Sequence, residues 1–260
     1  MRVGLNPLKG ESLETPPIVF AVVTHLPNTD GYHAKRFEVV KACIKSMTAH
    51  NDYPLIVWDN GSCDRLRLWL QNYMSKETDT LIQSPNVGKI NARNAIFRMF
   101  PPETIVCYSD DDMLFESNWL SPQLELLNHF PNTACVSGYA TRPAFRWGNT
   151  NTLNWANKNA TVEVGEFISQ DEIHDYYQSL GKEAEYGGND IRITYNGKQA
   201  YATAHHCQFI ARAGTVDKAL VWSTKYLESE SGFDVAMDKQ GLRLATINRL
   251  VKHIGNVMDD

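Results

Sequence analysis

Three consecutive aspartates, Asp110, Asp111 and Asp112, stand directly behind a short apolar run in the stretch CYSDDDMLF. Crowding like charge is costly unless the carboxylates sit in water, diverge, or share a cation. If Thr104 to Tyr108 forms a buried strand, as its Ile-Val-Cys-Tyr content suggests, the aspartates occupy its carboxyl end, where open α/β sheets bind ligands. In an extended chain Asp110 and Asp112 point the same way and Asp111 points away. Two converging carboxylates suit a hard divalent cation such as Mg2+ or Mn2+. A solvated acidic turn explains the triplet equally well, so the elements around it have to decide.

The first half of the chain alternates. Ile18 to Val23 is a β-rich apolar run, and Phe37, Val40, Ile44 and Met47 follow at helical spacing. Leu55 to Trp58 reads as a second strand, with a helix through Leu66, Trp69, Leu70 and Tyr73 behind it. Leu81 and Ile82 mark a third strand, and Ile90, Ile96, Phe97 and Met99 a third helix. The fourth strand leads into the aspartates; Ser121-Pro122 opens another helix, with serine as N-cap, and Ala134 to Ser137 is a fifth strand. Such alternation predicts a mostly parallel sheet flanked by helices.

The second half loses that rhythm. Arg142 to Asn159, rich in Trp, Asn and Thr, reads as a long loop. Ser169 to Glu172 forms a capping box for a helix that Gly181 stops, and Asn196-Gly197 inside Ile191 to Ala202 marks a hairpin. Gly241 closes a further helix, and Arg243 to Ile254 reads as strand followed by turn. The expected organisation is one domain over residues 1–260, with a flexible segment at 1–16 and an acceptor-side insertion at 142–202.

Composition narrows the class. A net charge of −5 with no run of Lys and Arg argues against a nucleic-acid partner. No stretch is apolar for the length of a membrane span, and the first residues lack the apolar core of a signal peptide, so a soluble cytoplasmic chain is expected. Five cysteines without CxxC spacing point to reduced core thiols.

Four short patterns occur in order: AVVTHLPN, VWDNGSCD, NVGKINARN and SDDD. In that order and spacing the sequence resembles the GT-A-fold glycosyltransferases, most closely the family 2-like enzymes, over roughly Pro17 to Tyr139. The resemblance implies a GT-A nucleotide-diphospho-sugar transferase fold with a C-terminal acceptor-side elaboration. It also implies a nucleotide-sugar donor, a glycan or other hydroxyl acceptor, and a divalent cation. SDDD looks like the DXD motif, which would put Asp110 toward the ribose or base and Asp112 on the cation, with Asp111 on the nucleotide side. Thr24, Asp59 and Asn60 would also face the nucleotide, although Asp-Asn-Gly forms a turn by itself. Asn86, Gly88 and Asn94 look like the loop and helix beside the nucleotide, and Lys89 could meet a phosphate at a helix start. A tight turn at Gly88, an ordinary helical Asn94 and an exposed Lys89 are the plainer readings. His253 resembles the histidine that many GT-A enzymes place after their last core strand as a further metal or phosphate ligand; a structural histidine is the alternative.

Inverting transfer needs a base for the acceptor hydroxyl. The resembling enzymes use an acidic residue, often the last of an xED motif, and YLESESGFDVAMDKQG carries no clean Glu-Asp pair. Spacing to Gly241 puts Glu230 first; Asp234, one helical turn later, is second and Glu228 third; each could equally cap a helix or face water. His205-His206-Cys207 is read as a pocket wall beside the sugar rather than a zinc site. Trp147, Trp155, Tyr176 and Tyr186 could stack on sugar rings, though core packing accounts for most aromatics. A nucleotidyltransferase of related fold and a non-catalytic sugar-binding protein are the competing functions.

Overall fold

The computed structural model describes residues 17–221 and 229–256. The segment 1–16 and Glu228, for which expectations were stated, lie outside the described residues. Strands β1 (Ile18–Thr24), β2 (Leu55–Asn60), β3 (Thr80–Ser84) and β4 (Ile105–Asp110) alternate with helices α1 (Arg36–Thr48), α2 (Asp64–Tyr73) and α3 (Lys89–Arg98). The chain continues through β5 (Met113–Phe115), α4 (Leu120–His129), β6 (Thr133–Ser137), α5 (Thr150–Asn159), β7 (Thr161–Gly165) and α6 (Gln170–Ser179). It ends with β8 (Asp190–Tyr195), β9 (Lys198–Tyr201), β10 (Gln208–Arg212), α7 (Ala213–Val221), α8 (Glu230–Asp238), β11 (Leu242–Ala245) and β12 (Val251–His253).

Ten strands form one sheet in the order β3-β2-β1-β4-β10-β6-β11-β9-β8-β7. β3, β2, β1 and β4 pair in parallel; β10 runs against β4, and β6 and β11 return to the first direction. This is the mostly parallel α/β sheet that the alternation predicts. β1 shows why helices cover both faces. Phe20 and Val22 pack with Val40 and Ile44 of α1, while Val19, Ala21 and Val23 pack with Ile96 and Phe97 of α3. Successive side chains leave a strand on opposite faces, so a wholly apolar strand is stable only between two apolar layers.

Two pairings bring distant residues to the carboxyl end of β4. β10 pairs with β4 so that Gln208 lies opposite Ser109, and Asp110 N donates to Cys207 O at 2.7 Å just beyond the strand. β12 pairs antiparallel with β5, setting His253 opposite Met113, while Ile254 N donates to Asp112 O at 2.9 Å. The register thus delivers a histidine beside the third aspartate. Arg243 to Ile254 therefore holds two strands, not the one expected.

Residues 142–202 build α5, α6 and the antiparallel edge β7-β8-β9. The hairpin is as predicted: Tyr195 faces Lys198, with Asn196 at φ 46° and Gly197 at φ 80°, both in the left-handed region that such a two-residue turn demands. The capping box is also found, Ser169 Oγ accepting from Glu172 N at 3.2 Å. The loop expected over Arg142 to Asn159 is instead a 3-10 turn at Arg142–Arg146 followed by α5. α5 is stabilised from outside its own sequence: the Asp238 carboxylate of α8 accepts from Asn151 N at 2.8 Å and Thr152 N at 3.1 Å, satisfying first-turn donors that a local cap would otherwise take. The expected N-cap at Ser121 is corrected as well. α4 begins at Leu120 after Trp119, so Ser121 and Pro122 lie in its first turn, where proline removes no intrahelical bond.

Candidate active site

The three aspartates do not split as an extended chain would divide them. β4 ends at Asp110 and the backbone turns through Asp111 and Asp112, so alternation stops where it was needed. All three carboxylates line one cavity of about 390 Å³. Asp111, expected to point away, accepts from Thr24 Oγ1 at 2.7 Å and is ion-paired to Arg36. Arg36, the first residue of α1, reaches across to Asp112 Oδ2 at 3.2 Å. Asp110 accepts from Lys89 Nζ at 3.0 Å and from the Tyr108 hydroxyl at 2.8 Å. Asp112 also has His253 Nε2 at 3.6 Å, and its Oδ1 is buried with no partner.

The nucleotide-side positions are set by two turns. Asn60, at the end of β2, accepts from Val87 N at 2.8 Å and donates to Asn86 Oδ1 at 3.1 Å. Gly88 stands immediately before α3 at φ 86°, ψ 142°, a conformation open essentially to glycine alone; it aims Lys89 back at Asp110. Thr24, Asn60, Asn86, Gly88 and Lys89 all line the cavity with the aspartates, as do His25 and Arg36. Asp59 does not: its Oδ1 accepts from Ser62 N at 3.0 Å, the turn-forming alternative. Asn94 is buried in α3, its Oδ1 without a partner, and stands outside the lining.

The two described carboxylates among those ranked as bases are committed to cations. Glu230, first residue of α8 behind the N-cap Ser229, lies 2.7 Å from Lys89 Nζ through one oxygen and 2.7 Å from Arg93 Nη1 through the other. Arg93 is fully buried, its guanidinium 3.9 Å from the Phe233 ring centroid. Asp234, one turn later, sits between Arg243 Nη2 at 2.6 Å and His206 Nδ1 at 2.9 Å. The structure thus joins Glu230 to Asp110 through Lys89, and places Asp234 in a separate buried pair.

The electrostatics follow from these contacts. Burial opposes ionisation of Asp110, but Lys89 and the Tyr108 hydroxyl outweigh it and hold the carboxyl below the usual range. Glu230 behaves likewise, held down by Arg93 and Lys89 against burial. Asp112 is the exception: burial, with Asp111 and Asp110 beside it, pushes its carboxyl up despite His253 and Arg36. It is the aspartate whose negative charge is least compensated.

His205, His206 and Cys207 bring their ligand atoms within 4.8 Å of one another. His205 is buried against Tyr139 and Tyr176, and burial, then His206 and His253, holds its imidazole well below the usual value. Of the four expected aromatics, Trp155 packs on Phe130 and Tyr195, Tyr176 lies between His205 and His253, and Trp147 and Tyr186 are exposed. Arg36, His25 and Arg243 escaped the sequence reading: His25 stands inside the first motif beside Thr24, and Arg36 and Arg243 lie in segments without motif.

Residues 32–195 match glycosyl transferase family 2. Among solved structures, the chain is similar to GalNAc-T7 with UDP, GalNAc and Mn2+, at 13% identity and a TM-score of 0.53, covering 92% of this chain and 44% of that one. It is also similar to residues 1-349 of S. aureus TarS, at 11% identity and a TM-score of 0.52, covering 92% of this chain and 60% of that one. These likenesses are in fold, and the chain spans about half the length of the chains it resembles. No curated protein sequence matches it. A family match that takes in the turns around Asn60 and Gly88 and the three aspartates, on the GT-A fold that the four motifs imply, makes this chain a member of glycosyl transferase family 2.

Proposed function

We propose that the chain transfers a sugar from a nucleoside-diphosphate sugar to an acceptor hydroxyl, with Mn2+ or Mg2+ as cofactor and inversion at the anomeric carbon. The observation that carries this reading is Asp112, whose Oδ1 is buried without a partner while its Oδ2 faces Arg36 and His253. His253 Nδ1 lies 2.7 Å from Ser179 Oγ, which leaves Nε2 turned toward Asp112. A carboxylate oxygen with an unused lone pair, next to an imidazole nitrogen fixed by its other ring atom, is a donor set that fits a divalent cation. Bound there, such a cation supplies the positive charge that a departing diphosphate needs.

The chain's own residues do the rest. Three carboxylates against Arg36 and Lys89 leave the cavity short of positive charge, so a diphosphate would be repelled without added cation. Lys89, at the start of α3, adds a cation at a helix N-terminus, where phosphate oxygens are favoured. Thr24, Asn60 and Asn86 offer the hydroxyl and amide groups that hold a nucleoside, with Asp110 toward the ribose. Residues 142–202 flank this end of the sheet as the acceptor side. No helix of the described residues is long and apolar enough to cross a membrane; the five free cysteines support a reducing cytoplasmic setting.

The test is a panel of UDP-glucose, UDP-GlcNAc, UDP-GalNAc and GDP-mannose with and without Mn2+. Release of nucleoside diphosphate from one of them, dependent on the metal, is expected. Failure of every donor to turn over, together with failure of UDP and GDP to bind, overturns the reading.

A further inference from the structure

We propose that His206, aligned by Asp234, is the general base that takes the proton from the acceptor hydroxyl. The inference rests on the transferase reading above and departs from the carboxylate base that the sequence led one to expect. The carboxylates of the site are poorly placed to accept a proton. Glu230 has a cation 2.7 Å from each oxygen, and protonating it would strip a fully buried arginine of its counter-charge, a state that costs several kcal/mol. Asp234 has Arg243 on one oxygen and His206 on the other.

That second contact is the informative one. A carboxylate salt-bridged to arginine can only accept hydrogen bonds, so the proton in the His206–Asp234 contact belongs to Nδ1 and the lone pair of Nε2 is left exposed to reaction. Within the described residues Nε2 makes no hydrogen bond, and the side chain is 22% exposed, whereas that of Asp234 is 5% exposed. A histidine whose inner nitrogen is held by a buried carboxylate and whose outer nitrogen is open has the arrangement a proton acceptor needs.

The scaffold behind the pair is rigid. Arg243 is 1% exposed and donates to Trp147 O at 2.8 Å, Gly148 O at 2.7 Å and Ala204 O at 2.5 Å as well as to Asp234. Gly148 adopts φ +63°, and a Cβ there would come within 2.5 Å of Asp234 O. These contacts fix the guanidinium that holds one oxygen of Asp234, and so leave the other oxygen aimed at His206. Its position suits the role too. Asp110 N donates to Cys207 O across the end of the sheet, so His206 stands one residue beyond the strand end that carries Asp110. The titratable and charged groups around it are Asp234 and Glu230 of α8, Arg243 of β11, Lys89 of α3 and Asp110 of β4, with His205 and Cys207 on its own segment.

In the step proposed, the acceptor O–H bond breaks and its proton moves to His206 Nε2, while the oxygen's electron pair forms the bond to the anomeric carbon. The bond from that carbon to the diphosphate oxygen breaks, its electron pair leaving with the nucleoside diphosphate. The imidazolium, stabilised by Asp234, then releases its proton to water. His206 is the catalytic residue and Asp234 positions it.

The experiment has two readouts. In ¹⁵N spectra of the wild-type protein, His206 is expected to carry its proton on Nδ1; a proton on Nε2 instead overturns the proposal whether or not a substrate is known. With whichever of UDP-glucose, UDP-GlcNAc, UDP-GalNAc or GDP-mannose the wild type consumes, His206→Ala is expected to lower kcat by at least about a hundredfold, leave donor KM within about threefold, remove the acidic limb of the pH profile and recover rate with added imidazole. Asp234→Asn is expected to lower kcat less than His206→Ala does, with donor KM again within about threefold. Wild-type turnover with full activity in His206→Ala would return the role to Glu230 while leaving the transferase reading intact; loss of UDP or GDP binding in parallel with rate would make His206 a donor ligand. A wild type that consumes no donor while showing the Nδ1–H tautomer would fail the transferase reading and leave the dyad standing.

Discussion

Two ionic clusters flank the end of β4, and they are built to opposite specifications. On the donor side, three aspartates meet Arg36 and Lys89 around an open cavity, Lys89 is 40% exposed, and one carboxylate oxygen is left unused. On the other side Asp234 is enclosed by Arg243 and His206, and the two terminal nitrogens of Arg243 are held by three backbone carbonyls as well as by Asp234. Side chains that must exchange partners when a charged ligand arrives cannot be locked to one another. Those that must aim a single group have to be. The first cluster is organised for replacement of its counter-ions, and the second for immobility.

Substitutions can break this contrast. The largest effect is expected at Arg243→Met, which leaves one oxygen of Asp234 and three carbonyls unpaired in the interior; a loss of about 3–5 kcal/mol should appear as a lowered urea midpoint. A loss no larger than that of Lys89→Met would remove the distinction between the clusters. Glu230→Gln comes next, because fully buried Arg93 then loses its ion-pair partner. About 2–3 kcal/mol is expected, measurable by the same titration, and any loss of activity in that variant must be corrected for unfolding.

Acid should weaken the His206 side before the donor side. Burial, then His206 and His253, holds the His205 imidazole well below 6.5, so the unfolded chain binds a proton that the folded chain refuses. Stability is therefore unaffected above about pH 6.5 and falls as the pH drops below it, by at most about 1.4 kcal/mol per pH unit from this group. Asp110 and Glu230 are held low, so their contribution persists until the pH falls through the depressed carboxylate range. Unfolding midpoints at pH 7.5 and 5.5 should differ in the wild type and differ less in His205→Asn. The smallest effect is expected at Glu163→Gln. Glu163 meets Arg192 at 3.0 Å on the surface of β7 and β8, where solvent screens the pair and the melting temperature should not move.

The contrast also separates what sequence can disclose from what it cannot. The donor side was legible because each of its parts has a local signature: a buried strand before SDDD, an Asn-Gly turn at Asn60-Gly61, a glycine ahead of Lys89. Even there, local reasoning failed at the turn. Treating Asp110 to Asp112 as extended misdirected Asp111, which the structure pairs with Arg36. The other cluster was opaque because its members are joined only by folding. Asp238 caps α5 across 86 positions of chain, so α5 read as a loop. Arg243 looks like any strand residue until β11 sets it against Gly148 and Asp234. His206 read as a wall because nothing near it in sequence announces the carboxylate behind it. Spacing to Gly241 did single out Glu230, and helical geometry added Asp234 a turn later, but whether a carboxylate is free or paired is a tertiary property.

The central claim, that the Asp112 carboxylate receives a divalent cation together with the nucleotide, is tested most directly by calorimetric titration of UDP and GDP into the wild type and Asp112→Asn, with and without Mn2+. The account predicts that Mn2+ tightens nucleotide binding to the wild type by about a hundredfold or more, that the substitution removes this increment, and that the melting temperature does not fall. An increment of the same size in both proteins would contradict it.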